Sequence, residues 1–191
     1  MPSARGRYND AMTSIALKND PVLRKKAAPV AIEEFGSHNL VKTTAAMAEA
    51  MFQEPDGIGI AAPQIKIPKQ VFLVAADVLN PVQLNERIQT SNKTGAGKSR
   101  HFTSDDYLVF INPKIEKYSQ KKSKDIEGCL SVRGIYGEVT RSEKIVVQYY
   151  NVNGKRLSRG ASGLFARIIQ HEVDHLNGTL FIDKANNIQK I

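Results

Sequence analysis

The sequence predicts a single domain that mixes helices with strands, built around one helix near its C-terminal end. Three observations carry this. The chain has 191 residues, of which 41% are hydrophobic and 24% charged, a length and balance that suit one globular domain with a substantial core. Helical periodicity occupies two separate stretches, and short apolar runs rich in Val, Ile, Tyr and Phe lie between them. The second helical stretch contains Gln170-His171-Glu172-Val173-Asp174-His175, two histidines four apart with a glutamate after the first. Four residues advance a helix by roughly 400°, so both imidazoles leave from nearly one face, a turn apart. Both can then reach one metal ion at about 2.0–2.1 Å, with Glu172 beside them to handle a proton rather than to ligate.

The elements follow in order. Residues 1–14 are polar and read as a disordered N-terminal extension without the apolar core of a secretory signal. Arg5, Arg7 and two serines support organellar targeting only weakly, because Asp10 and the short length oppose it. Asp20-Pro21 opens a turn. From Ser37, a candidate N-cap, apolar residues at Leu40, Val41, Met47, Ala48, Met51 and Phe52 mark a helix that Pro55-Asp56-Gly57 ends. Gly57-Ile58-Gly59-Ile60-Ala61-Ala62-Pro63-Gln64 leaves the backbone bare, as either a tight connection or a place where another backbone approaches.

Gln70 to Ala75 and Tyr107 to Asn112 read as strands. The stretch between them, about 76–106, is expected to be a mobile surface insertion. It contains Gly97-Lys98-Ser99, which resembles the end of a phosphate-binding loop but lacks its first glycine, since Asn92 stands there. Five lysines between Lys114 and Lys124 suit a solvated strand edge. Lys144 to Asn151 is a strong strand, and Asn153-Gly154 turns it back into a hairpin. Ser162 is placed to cap the metal-binding helix and Gly178 to end it, with Leu164, Ile168, His171 and His175 on one face. The polar tail 184–191 is expected to be frayed or a short helix.

Composition narrows the function classes. No apolar run approaches the ~20 residues of a membrane span. The single cysteine, Cys129, excludes an intramolecular disulfide and fits a reducing, bacterial-type cytoplasmic setting. A formal charge of +8 permits transient contact with a polyanion such as ribosomal RNA. No zinc-finger, RNA-recognition or helix-turn-helix pattern accompanies it, so specific DNA binding is not expected.

A catalytic site of this type wants three protein ligands and one open position. One familiar continuation places a third histidine where this chain has Phe181, and another needs a downstream glutamate, yet none follows Glu172. Asp183 is the only later carboxylate, so the third ligand is either that residue or lies upstream, among Cys129, His38, His101 and several carboxylates. Cys129 is favoured, because a thiolate is the strongest of these ligands for a borderline or soft metal, and it precedes a strong strand.

Gly57 to Gln64, Glu127-Gly128-Cys129-Leu130-Ser131 and Gln170 to His175 together resemble the three signature motifs of the peptide deformylases, in that family's order. The resemblance covers residues 15–183. It implies an α+β fold, a single domain with antiparallel β-sheets wrapped around the central metal-binding helix. It implies removal of the formyl group from the N-terminal formylmethionine of nascent peptides, as part of N-terminal methionine processing. The implied metal is Fe2+, with Zn2+, Ni2+ or Co2+ as substitutes. By the same resemblance Cys129, His171 and His175 are ligands, Glu172 is general base and acid, and Gln64 with the Leu130 amide stabilises the oxyanion. Gly59 and its neighbours would let the peptide pair as an added strand, with Ile58, Leu164 and Ile168 around the methionine side chain. Glu127 is expected to support the ligand loop. Arg133 stands where many members carry proline, a departure that bears on the rim of the substrate groove and not on the metal, and Arg167 is expected to border the pocket. The competing readings are a metallopeptidase acting on ordinary peptide bonds and a catalytically silent metal-binding homologue.

Overall fold

The computed structural model describes residues 14–94 and 102–191, so Gly97-Lys98-Ser99 and His101 lie outside the described residues. Helix α1 runs over His38–Gln53, and the Ser37 hydroxyl accepts a hydrogen bond from the Leu40 N–H as its cap. Strand β1 (Gly59–Ala61) leads through a short 3-10 turn into β2 (Val71–Ala75). Helix α2 (Pro81–Thr94) precedes β3 (Tyr107–Tyr118), β4 (Lys122–Glu127), β5 (Ile135–Ser142), β6 (Lys144–Tyr150) and β7 (Arg156–Ser162). Helix α3 (Gly163–Leu176) and strand β8 (Asn186–Lys190) complete the chain. The strands form two antiparallel sheets, ordered β1-β2-β3-β6-β7 and β4-β5-β8. This is the expected α+β architecture, with α3 packed among strands of both sheets.

The core explains the arrangement. All five residues of β2 are buried, and Phe72 stacks on Phe110 of β3 with ring centroids 4.6 Å apart. Met47, Ala48 and Met51 of α1 and Ala166, Ile169 and Leu176 of α3 close over them. Helix α3 is buried on most of its surface from Phe165 to Gln170, so its polar side chains need partners inside the protein. Gln170 behaves like a strand residue: its carboxamide accepts from Ser142 N at 3.1 Å and donates to Ser142 O at 2.9 Å. That pair fastens the helix to the turn between β5 and β6.

Both ends of α3 are fixed by backbone geometry. Ser162 occupies the N-cap position, although its hydroxyl makes no capping bond. At the other end Gly178 adopts φ +75°, its N–H donates to His175 O at 3.1 Å, and Thr179 N–H donates to Asp174 O at 3.0 Å. These paired bonds satisfy carbonyls the helix would otherwise leave open.

Two expectations change. The segment 76–106 contains α2 rather than a structureless insertion. Asn80 caps it by accepting from Val82 N at 3.2 Å, Pro81 opens it, and Leu84 and Arg87 turn inward. Its other residues are so polar that the pattern is faint in the sequence. The tail also differs, because Asn186–Lys190 pairs with β5 as β8. Every residue of β8 is exposed, so backbone pairing makes this strand without any apolar alternation to announce it. Of the lysine-rich stretch, Lys122 and Lys124 lie on β4 at the edge of its sheet as expected, whereas Lys114 and Lys117 lie on β3, which has a neighbour on either side.

Gly178→Ala should lower stability by about 1–3 kcal/mol, because an added Cβ would lie 2.7 Å from the Arg24 carbonyl oxygen in a left-handed backbone. Urea denaturation checks this, and an unchanged midpoint would mean the helix end is not held there.

Candidate active site

The three motifs meet at one point. Cys129, His171 and His175 present ligand atoms that all lie within 4.8 Å of one another, and Cys129 Sγ is 3.2 Å from His175 Nε2. Cys129 follows β4 on a turn closed by Val132 N–H donating to Cys129 O at 2.9 Å. Among the described residues, the alternatives His38 and Asp183 do not join them. His38 begins α1, and Asp183 pairs with Arg24 and accepts from Leu180 N.

Electrostatics favours ligation by the thiolate. Burial raises the cost of a charged sulfur, but His175 and His171 outweigh it and hold the Cys129 thiol well below its usual value. The thiolate is the form that binds metal. Burial pulls the His171 imidazole down, while its hydrogen bonds to Cys129 and Glu127 push it up to about 10. Glu127 Oε2 lies 2.9 Å from His171 Nδ1; a bond donated from that nitrogen leaves Nε2 to face the ligand cluster.

Glu127 is itself held by cations. Arg141 meets it with two bonds of 2.9 Å, and Arg167 NH1 donates to it at 2.8 Å. Against the cost of burial, Arg141 and His171 keep the Glu127 carboxyl well below the usual carboxylate range. Arg141 also pairs with Asp174, which Lys184 meets from the surface. The expectation that Arg167 borders the pocket holds at one end of its side chain. Its guanidinium does a different job, bonding Glu127, Val139 O and Ser123 O.

Glu172 is buried, and burial pushes its carboxyl up to about 7, against the pull of the two imidazoles. Its Oε2 has no hydrogen-bond partner among the described residues. A partnerless buried oxygen beside three soft and borderline donors fits a divalent cation with solvent completing the site. Gln64 is also buried: Oε1 accepts from Ala61 N at 2.8 Å, while Nε2 points to Ser131 Oγ at 3.1 Å and Cys129 Sγ at 3.6 Å.

These groups open onto a cavity of about 640 Å³ whose wall includes Ile58, Gly59, Leu130, Leu164 and Ile168. All four sequence-predicted substrate residues therefore line one space. Gly59 is there for a steric reason. A Cβ at this position would sit 2.5 Å from Glu172 Oε1 and 2.9 Å from Ile168 Cγ2, so only glycine lets β1 lie against α3.

A family model described as polypeptide deformylase matches residues 12–191. The chain belongs to that family. Chloroplastic peptide deformylase 1A of Solanum lycopersicum is 40% identical over 180 residues, which cover 93% of this chain and 61% of that one. The peptide deformylase of Carboxydothermus hydrogenoformans is 40% identical over 169 residues, covering 88% and 90%. A crystal structure of the class I type b peptide deformylase from Acinetobacter baumannii with Met-Ala-Ser bound matches with a TM-score of 0.73 at 35% identity. That match covers 89% of this chain and 96% of the other. Members of the deformylase family are metal-dependent, in keeping with the Cys-His-His cluster. No helix among the described residues is long and apolar enough to cross a membrane.

Sequence reasoning missed three features of the site. Arg141, the main partner of Glu127, carried no signal beyond being a basic residue in a strand. The cavity wall contributed by Leu84, Asn85 and Ile88 of α2 went unseen with the helix itself. Arg133 was noted as a departure, but its ion pair with Glu54 across the cavity rim needed coordinates.

Glu127→Gln should destabilise the fold by about 3 kcal/mol, because two buried guanidiniums lose their shared counter-charge. Chemical denaturation of the variant measures it, and a loss under half that size would mean Asp174 and backbone carbonyls suffice.

Proposed function

We propose that this chain removes the formyl group from the N-terminal formylmethionine of nascent polypeptides and releases formate. One observation carries the reading: the buried carboxyl of Glu172 lies against both a Cys-His-His ligand set and the start of an outer strand. A peptide can add to that strand while its first residue reaches the ligands.

Cys129, His171 and His175 would hold the metal. When bound, a divalent cation acidifies water towards neutrality and polarises the formyl oxygen. Glu172 would take, at its partnerless Oε2, the proton of the water that adds to the formyl carbon, and return it to the amine nitrogen as the C–N bond breaks and formate leaves. Gln64 is fixed by its own bond to Ala61, so its Nε2 is already aimed beside the ligands. Together with the Leu130 N–H it donates to the formyl oxygen as negative charge develops there. Ile58, Leu164 and Ile168 surround the methionine side chain, and Gly59 lets the peptide backbone pair along β1. The Met-Ala-Ser bound to the Acinetobacter relative is the kind of deformylated peptide this reaction leaves.

The family resemblance favours Fe2+ as the resident metal, and one thiolate with two imidazoles would also accept Zn2+, Ni2+ or Co2+. The lone cysteine and the bacterial relatives favour a cytoplasmic, bacterial-type setting. The exposed lysines at Lys114, Lys117, Lys121, Lys122 and Lys124 are the candidates for a transient ribosome contact, three of them paired with Glu116, Glu143 and Glu138.

Glu172→Gln should slow formate release by about 10²–10⁴-fold while metal content stays near one per chain, and unchanged release would refute the proton role. Cys129→Ala should abolish stoichiometric metal, with undiminished metal by elemental analysis as the refuting result. Assays on formyl-Met-Ala-Ser and on an unformylated peptide separate the proposed reaction from peptidase action.

A further inference from the structure

The hydrogen-bond donors proposed for the oxyanion come from two places, the Leu130 amide and the Gln64 carboxamide. The amide is set by its backbone, but a carboxamide carries an acceptor at one end and two donors at the other, on a soft terminal torsion. Burying the Gln64 side chain therefore does not by itself aim a donor. Part of the aim comes from close by. Gln64 sits on the 3-10 turn Ala62–Ile65, its own carbonyl accepts from Ala16 N–H at 2.7 Å, and its Oε1 accepts from Ala61 N–H at 2.8 Å. A flipped carboxamide would set an N–H against the Ala61 N–H, so this bond decides which end is the donor and brings it beside the ligands. It leaves the tilt of that donor loose, because a bond accepted by a carbonyl oxygen tolerates a broad range of directions.

The tilt is set from the ligand loop. Nε2 donates to Ser131 Oγ at 3.1 Å and lies 3.6 Å from Cys129 Sγ. Gln64 and Ser131 are each only 1% exposed, so bulk water has no access to replace either partner. The planar nitrogen has two hydrogens; with one spent on Ser131, the other is turned to the ligand side. Ser131 also follows Leu130 directly, on the turn that Val132 N–H closes by donating to Cys129 O at 2.9 Å. One short segment thus carries the first donor in its backbone and holds the second by its hydroxyl, which ties the spacing of the two donors to a single hydrogen bond.

We propose that Ser131 is a positioning residue for this reaction: its hydroxyl accepts one Nε2 hydrogen of Gln64 and so keeps the other directed at the formyl oxygen as negative charge develops there. The inference rests on the deformylase reading given above. In this role Ser131 touches neither substrate nor metal and acts only through Gln64.

The test compares metal-loaded wild type, Ser131→Ala, Gln64→Ala and the double variant for formate release from formyl-Met-Ala-Ser. Ser131→Ala should lower kcat by about 10–100-fold, with KM within about twofold and metal content near one per chain. In the Gln64→Ala background the same change should cost less than about twofold, because the group it aims is gone. An equal loss in both backgrounds overturns the proposal, since a residue that merely supports the ligand loop would act without Gln64. An unchanged kcat in Ser131→Ala overturns it as well. If Ser131→Ala does not fold, Ser131→Thr and Ser131→Val decide, being alike in shape and different in the hydroxyl. The threonine variant should then exceed the valine variant in kcat by about tenfold, and equal values overturn the proposal. Absence of formate from wild type would overturn the deformylase reading itself, and the role of Ser131 with it.

Discussion

A buried helix that carries Gln170, His171, Glu172 and His175 on its surface can stand only if its polar groups find partners inside the protein. Glu127 is the partner on which most of the others depend. One carboxylate there accepts from Arg141, Arg167 and His171 at 2.8–2.9 Å, and so joins β4, β5 and α3 at a single point. A lone carboxylate at that depth would be neutral or excluded. With two guanidiniums it remains charged, and its charge fixes the orientation of His171. The fold and the site thus rest on the same four side chains, which is why Glu127, next but one to Cys129, belongs to the chemistry without facing the cavity as a reactant.

The second constraint is room. Helix α3 must bring Glu172 to the strand edge without forcing either backbone aside, and Gly59 is what permits contact at that distance. Past its C-terminal end the helix must stop before its carbonyls run into the N-terminal segment, and Gly178 turns the chain beneath the Arg24 carbonyl. One glycine sets how near the carboxyl comes to the strand edge, and the other sets where the helix that carries both histidines ends.

How much was legible in the sequence follows from what kind of physics fixed each part. The ligand helix, its end at Gly178, strands β2, β3 and β6 and the hairpin at Asn153-Gly154 are specified locally, by periodicity or by turn chemistry, and each lies where those signals place it. Cys129 came from eliminating other ligands and from the resemblance, and it lies within reach of both histidines. What escaped is specified non-locally. Strand β8 exists because β5 offers an unpaired edge, although its own side chains are all exposed. Helix α2 is held by Arg87 meeting Asp77 ten residues earlier, and that contact looks like any other pair of surface charges until the chain is folded. The tie from Arg141 to Glu127 crosses between strands, and no spacing rule predicts it.

The molecule therefore separates two kinds of design. The groups proposed for chemistry sit on α3, on the turn after β4 and on the 3-10 turn after β1, and each is held by bonds that leave little freedom: Gln64 by Ala61, His171 by Glu127, and Glu127 by two arginines. Among the described residues, the segment between β2 and β3 lies outside that network and is anchored by the Arg87–Asp77 ion pair, the contact of Arg87 with Phe52 and apolar packing. Changing Leu84 or Ile88 leaves every bond around Glu127 in place. A wall built this way can change its side chains without disturbing proton transfer.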